Sequence, residues 1–161
     1  MIEAPLPSRE IAAIDIGSNS VRLVLYRLEG RAIWTVFNEK VLAGLGRDLA
    51  STGHLSPDGV TLAMTALRRF AAVLEGVRPE KTLIAATAAV RDAVDGPEFC
   101  ERVAAEAGLR IRVLSGEEEA KYAAMGVLAG APDAHGASAD MGGASVELTR
   151  LSPGPGQGRG S

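Results

Sequence analysis

Asp15-Ile16-Gly17-Ser18-Asn19-Ser20-Val21-Arg22-Leu23 and Asp140-Met141-Gly142-Gly143-Ala144-Ser145-Val146-Glu147-Leu148 align without a gap, sharing Asp, Gly, Ser, Val and Leu at the same places. Each copy sets a carboxylate where an apolar strand runs out, then a turn of small residues, then a second strand. A hairpin built this way leaves backbone N–H groups to converge on an anion, with serine hydroxyls as further donors and glycine permitting close approach. The aspartates do not suit direct contact with a phosphate, because like charges repel. They suit a divalent cation that neutralises phosphate oxygens. Either hairpin alone reads as an ordinary Gly/Ser turn; the pair points to two related lobes facing one another across a phosphate site.

The remaining pattern is α/β. Aliphatic runs at 11–16 and 21–28, with a third at 32–41 containing Ile33, Trp34, Val36 and Phe37, predict an antiparallel meander. Residues 44–53 read as irregular. Ser56-Pro57 offers a cap followed by proline in the first turn, predicting a helix to about Gly76. Leu62, Ala66, Leu67, Phe70, Ala71 and Leu74 share its core side, while Arg68, Arg69 and Glu75 stay wet. A buried strand over 82–86, a short turn or helix over 87–92, a helix from about Pro97 to Ala107 closed by Gly108, and a strand over 110–114 follow. Ser115-Gly116-Glu117-Glu118 matches a capping box and opens a helix to about Ala129. Such alternation predicts parallel additions to the meander, hence a mixed sheet with helices packed on it. Residues 131–137 read as a connection, and 152–161, with four glycines and two prolines, as a flexible tail.

With 161 residues there is room for one core and the beginning of a second. Seventeen basic against twenty acidic side chains leave a net charge of −3, without the basic field that DNA binding needs. The single cysteine, Cys100, allows no internal disulfide. With only His54 and His135 beside it, no thiolate or imidazole zinc cluster is expected, which fits a reducing cytosol. Neither a secretory signal nor an apolar run approaching the roughly 18 residues of a membrane span is visible, so a soluble cytoplasmic protein is expected.

The paired loops resemble the phosphate loops of the actin, sugar-kinase and Hsp70 superfamily, whose two ribonuclease-H-like lobes enclose a phosphorylated ligand. Between them Ala86-Thr87-Ala88-Ala89-Val90-Arg91 and Ser115-Gly116-Glu117-Glu118-Glu119-Ala120 stand in register. From about Ile11 to Leu151 the chain thus resembles the exopolyphosphatase and guanosine pentaphosphate phosphohydrolase family. The resemblance implies an α/β, ribonuclease-H-like (actin-like ATPase) lobe over 1–130, with a mixed sheet and flanking helices. It further implies a linker and the first hairpin of a truncated second lobe over 131–151, then the tail. The implied reaction is phosphate release from polyphosphate or guanosine pentaphosphate, assisted by Mg²⁺ or another divalent cation. In it Glu119 resembles the base that activates water, and Arg91 the arginine that grips the phosphate being cleaved. Asp140 and Glu147, with Asp15 facing them, resemble the metal-holding acids. Gly17, Ser18, Asn19 and Ser20, with Gly142, Gly143 and Ser145, would form the donor cradle.

Without the resemblance, Glu117 to Glu119 is a dipole-favoured acid run at a helix start, and Arg91-Asp92 a surface ion pair. Arg68-Arg69 is then a wet face, Cys100 a small core side chain, and His54 and His135 solvated. Two other functions stay open, a kinase of the same superfamily and a non-catalytic polyphosphate- or nucleotide-binding module. Half a cleft need not turn over substrate alone, and an unpaired lobe exposes apolar surface that a homodimer would cover.

Overall fold

The computed structural model describes residues 9–30, 32–141 and 146–151. Strands β1 (Arg9–Ile16), β2 (Ser20–Glu29) and β3 (Ala32–Leu42) form the expected antiparallel meander. Its register sets Ala12 opposite Leu25, Ile14 opposite Leu23 and Ile16 opposite Val21. All six are buried, so side-chain alternation makes one face of the meander continuously aliphatic.

Helix α1 (Leu49–Thr52) lies in the segment expected to be irregular. The Asp48 carbonyl organises it, accepting from the backbone N–H and the hydroxyl of both Ser51 and Thr52. Helix α2 (Pro57–Val77) starts where predicted and buries Ala63, Met64, Ala66, Leu67 and Phe70. Leu62, expected on that face, is instead 46% exposed. It stands about 100° around the helix from Ala63, outside the buried stripe. Ser56 occupies the cap position, yet its hydroxyl makes no capping bond. Its N–H donates to the Leu45 carbonyl at 2.9 Å, which draws the serine into the core.

Strand β4 (Lys81–Ala86), α3 (Ala88–Asp92), α4 (Gly96–Ala107), β5 (Arg112–Val113) and α5 (Gly116–Gly130) follow. Both β4 on β1 and β5 on β4 pair in parallel, completing a mixed sheet of order β3-β2-β1-β4-β5. Two expectations fail here. β4 is not a buried strand, because α2 and α4 lie on the side of Ile84 and Ala86 whereas Leu83 points the other way and is 50% exposed. β5 is shorter than 110–114, since pairing is confined to Ala85 and Ala86 at the end of β4. The core joins the aliphatic sheet face to Met64, Leu67 and Phe70 of α2 and Phe99 and Val103 of α4. α4 meets α3 so closely that a Cβ on Gly96 would stand 2.0 Å from the Val90 carbonyl oxygen.

Strands β6 (Gly136–Met141) and β7 (Val146–Leu151) form a separate two-stranded sheet. β6 begins inside the segment expected to be connection. The hairpin rests on α5, with the Thr149 hydroxyl donating to the Ala120 carbonyl at 3.3 Å and Leu151 buried. The expected tail, 152–161, lies outside the described residues. Among the described residues no helix is long and apolar enough to cross a membrane.

Candidate functional site

Strands β1, β3, β4 and β5 run in the same direction, so their C-terminal ends reach one edge of the sheet. Ligands of such sheets sit beyond those ends. The four exits deliver Asp15 to Ser20, Gly44 to Arg47, Thr87 to Arg91, and Leu114 to Glu119. Backbone bonds stitch them into one rim: Gly44 to the Asn19 carbonyl at 2.9 Å, Gly46 to Ser18 at 2.8 Å, Thr87 to Ile16 at 3.1 Å, and Leu114 to Ala86 at 2.9 Å.

Within the first loop the Gly17 N–H donates to the Ser20 carbonyl at 2.9 Å. Gly17 therefore closes the turn with its own donor. Ser18 and Ser20 are half-buried, while Asn19 and Asp15 are exposed.

The expected capping box forms. Ser115 Oγ accepts from the Glu118 N–H at 3.1 Å, and Glu118 Oε2 accepts from the Ser115 N–H at 3.0 Å. Glu118 is thereby turned back onto the cap, and Glu119 receives the Arg91 Nη1 donor at 3.1 Å on Oε2. Nη1 also donates to the Leu114 carbonyl at 3.2 Å, and Nε donates to Asp92 Oδ1 at 3.0 Å. Arg91 thus has both the local ion pair and the Glu119 partner. Side-chain exposures of 27% for Arg91 and 15% for Glu119 place this pair deeper than the other ion pairs of the lobe. Burial pulls the Arg91 pKa down, but bonds to Asp92 and then Glu119 outweigh it, leaving the guanidinium more firmly charged than usual.

The Glu118 carboxyl is held below its ordinary range first by the Ser115 N–H and then by Arg112. A carboxylate lowered on folding stabilises fully above its unfolded pKa, and that contribution fades as pH falls through the folded value. The first turn of α5 is accordingly expected to loosen below about pH 4. The ¹⁵N shifts of Ser115 and residue 118 should then share one step on acidification, and that shared step should be lost in Glu118→Gln.

Asp140 stands directly opposite Glu147 in the β6–β7 register. Among the residues whose side chains are described, which leave out Asp140 and Glu147, no three His, Cys, Asp or Glu form a metal cluster. Gly142, Gly143 and Ser145 lie outside the described residues. Cys100 is half-buried, and burial raises its thiol pKa, consistent with a packing role. His54 and His135 are exposed as predicted. Arg68 pairs with Glu106 and Arg69 with Glu39.

Sequence reasoning missed Gly44, Gly46 and Arg47, which with Ser18 and Asn19 line a cleft of about 440 Å³ at the rim. The visible signal was Gly-Leu-Gly-Arg immediately after a strand, a sequence in which the apolar period stops and two glycines bracket one leucine. That Leu45 is completely buried and anchors the loop.

The model of the Ppx/GppA phosphatase family matches residues 23–152. A solved PPX-GPPA enzyme from Aquifex aeolicus is 30% identical, with a TM-score of 0.83 over 91% of this chain and 50% of that one. An exopolyphosphatase from Cytophaga hutchinsonii is 26% identical, with a TM-score of 0.84 over 91% and 47% respectively. The ethanolamine utilization protein EutJ from Carboxydothermus hydrogenoformans, 23% identical, shares the fold with a TM-score of 0.53 over 94% and 50%. The chain spans about half the length of these solved relatives.

Proposed function

Because the chain belongs to the Ppx/GppA phosphatase family, its sheet and helices matching the actin-like amino-terminal half of those enzymes, we propose that it hydrolyses a phosphoanhydride, releasing phosphate from polyphosphate or guanosine pentaphosphate. The observation that carries this reading is the 3.1 Å Arg91–Glu119 pair on the same rim as the first phosphate loop. Hydrolysis needs a carboxylate to position water and fixed positive charge around the moving phosphoryl group. Glu119 orients the water and takes its proton on a carboxylate oxygen. Arg91 holds the phosphate being cleaved, its planar fork suited to two parallel bonds. Ser18, Asn19 and Ser20 donate from one loop, and Gly142, Gly143 and Ser145 from the other.

Asp15, Asp140 and Glu147 are assigned to a divalent cation, Mg²⁺ above all. Their oxygen donors have the hardness that ion prefers, and the ladder already sets two of the three opposite one another. When bound, the ion would neutralise charge on the phosphate oxygens.

The test is orthophosphate release from tripolyphosphate with Mg²⁺ and no acceptor molecule. Release is expected, and Arg91→Lys should lower kcat/KM about tenfold, since charge stays while the fork is lost. Transfer that requires an acceptor would mark a kinase and overturn the reading; binding without turnover overturns it when the lobe is assayed together with the second half that its solved relatives carry, and then marks a binding module.

A further inference from the structure

We propose that Arg47 binds a phosphate next to the one being cleaved, making the rim selective for substrates that carry several linked phosphates. The inference rests on the phosphoanhydride reading above and adds a second cation to it. Arg47 follows β3, on the flank of the phosphate loop away from β4 and β5, whose exits carry Arg91 and Glu119. Its segment is rigidly placed. Arg47 N–H donates to the Gly44 carbonyl at 3.1 Å, closing a tight turn, and Gly44 has a φ of 69°, which glycine adopts freely.

The guanidinium curls back over this turn. Its Nη2 lies 3.0 Å, and its Cζ and Nε 3.5 Å, from where a Gly44 Cβ would stand. A side chain at Gly44 would crowd the guanidinium from this position, and the positive φ already favours glycine there. Gly46 performs a similar service for the two neighbours, since a Cβ there would meet Ser18 Cβ at 3.1 Å and Ala89 Cβ at 3.3 Å. The segment is therefore pressed against both the phosphate loop and α3, two residues before Arg91.

Charge separates the two arginines. Arg91 is offset by Asp92 and Glu119. Among the described residues no carboxylate pairs with Arg47, which lines the cleft with Ser18 and Asn19. A liquid water occupies about 30 Å³, so a 440 Å³ cleft holds on the order of ten waters, or a run of phosphates rather than one. A polyanion laid across the loop would meet Arg91 at its reacting phosphate and Arg47 at the next.

Binding decides the matter without relying on turnover. Titrations of the whole chain with tripolyphosphate and with orthophosphate, read from the amide signals of Ser18 and Asn19, give two dissociation constants for each variant. Arg47→Gln is expected to weaken tripolyphosphate binding about tenfold, the loss of one charged hydrogen-bonding partner, and orthophosphate binding less than twofold. Arg47→Lys should fall between. Arg47 is exposed, so the amide spectrum of both variants should keep the native dispersion. Equal weakening for both anions, or none for tripolyphosphate, would overturn the assignment and leave the hydrolase reading standing. Failure of the unaltered chain to bind tripolyphosphate would remove both together.

Discussion

Glu119→Gln is expected to lower the turnover number for phosphate release about a thousandfold, within the range general bases contribute, while KM falls or holds. Glutamine keeps the shape and can still accept from Arg91 Nη1, but it cannot take a proton from water. The lowered KM follows from the 3.1 Å contact. Once the Glu119 charge is gone, Asp92 is the one acid still paired with Arg91 among the described residues, and the guanidinium meets an incoming phosphate less encumbered. Steady-state kinetics on tripolyphosphate separate the two constants. A variant whose turnover drops less than tenfold would show that another group activates the water, and a rising KM would show that Glu119 serves binding.

The largest stability effect is expected at Gly96, packed against the residue that precedes Arg91. Gly96 opens α4 and is buried; alanine there would put its Cβ 2.0 Å from the Val90 carbonyl oxygen. That atom belongs to the backbone and cannot rotate away, so α3 and α4 must separate. A loss of about 3–4 kcal/mol is expected, at the upper end for overpacking. For a domain of this size it corresponds to a drop of roughly 10 °C in Tm. Gly126→Ala in α5 makes a matched control. Nothing lies within 4 Å of that position, and alanine is the better helix former, so a gain of about 0.5–1 kcal/mol should appear. Denaturant midpoints of the two variants, moving in opposite directions, check the claim. Equal midpoints would mean that α3 and α4 yield without cost.

What could be read beforehand was local. The Ser115–Glu118 box depends on residues three apart, and the α4 stop at Gly108 on one left-handed residue, so both were visible in the chain. The meander was equally plain, because alternation of Ala12, Ile14 and Ile16 needs no knowledge of what covers them. Leu62 was misplaced because helical spacing bounds a stripe only to within a residue, and packing chooses its edge. Leu83 was misread because apolarity does not reveal which face of a sheet its helices cover. Arg91 and Glu119 were picked out by resemblance, but their contact depends on two parallel strands ending at the same rim. Arg47 escaped notice for the same kind of reason. Ser18 and Ala89, against which the neighbouring Gly46 is pressed, lie far off in sequence, and only the fold brings them to this turn.

A guanidinium has five N–H donors. At Arg91 they are nearly all spoken for, by Asp92 on Nε and Nη2 and by Leu114 and Glu119 on Nη1. An anion that wants two parallel bonds must therefore evict a resident acid. Arrival becomes an exchange of one partner for another, and the lobe carries its own placeholder in the seat. In the proposed hydrolase, such self-occupancy would keep a cationic fork from gathering stray sulfate or chloride, and Asp92 would set how readily the seat is vacated.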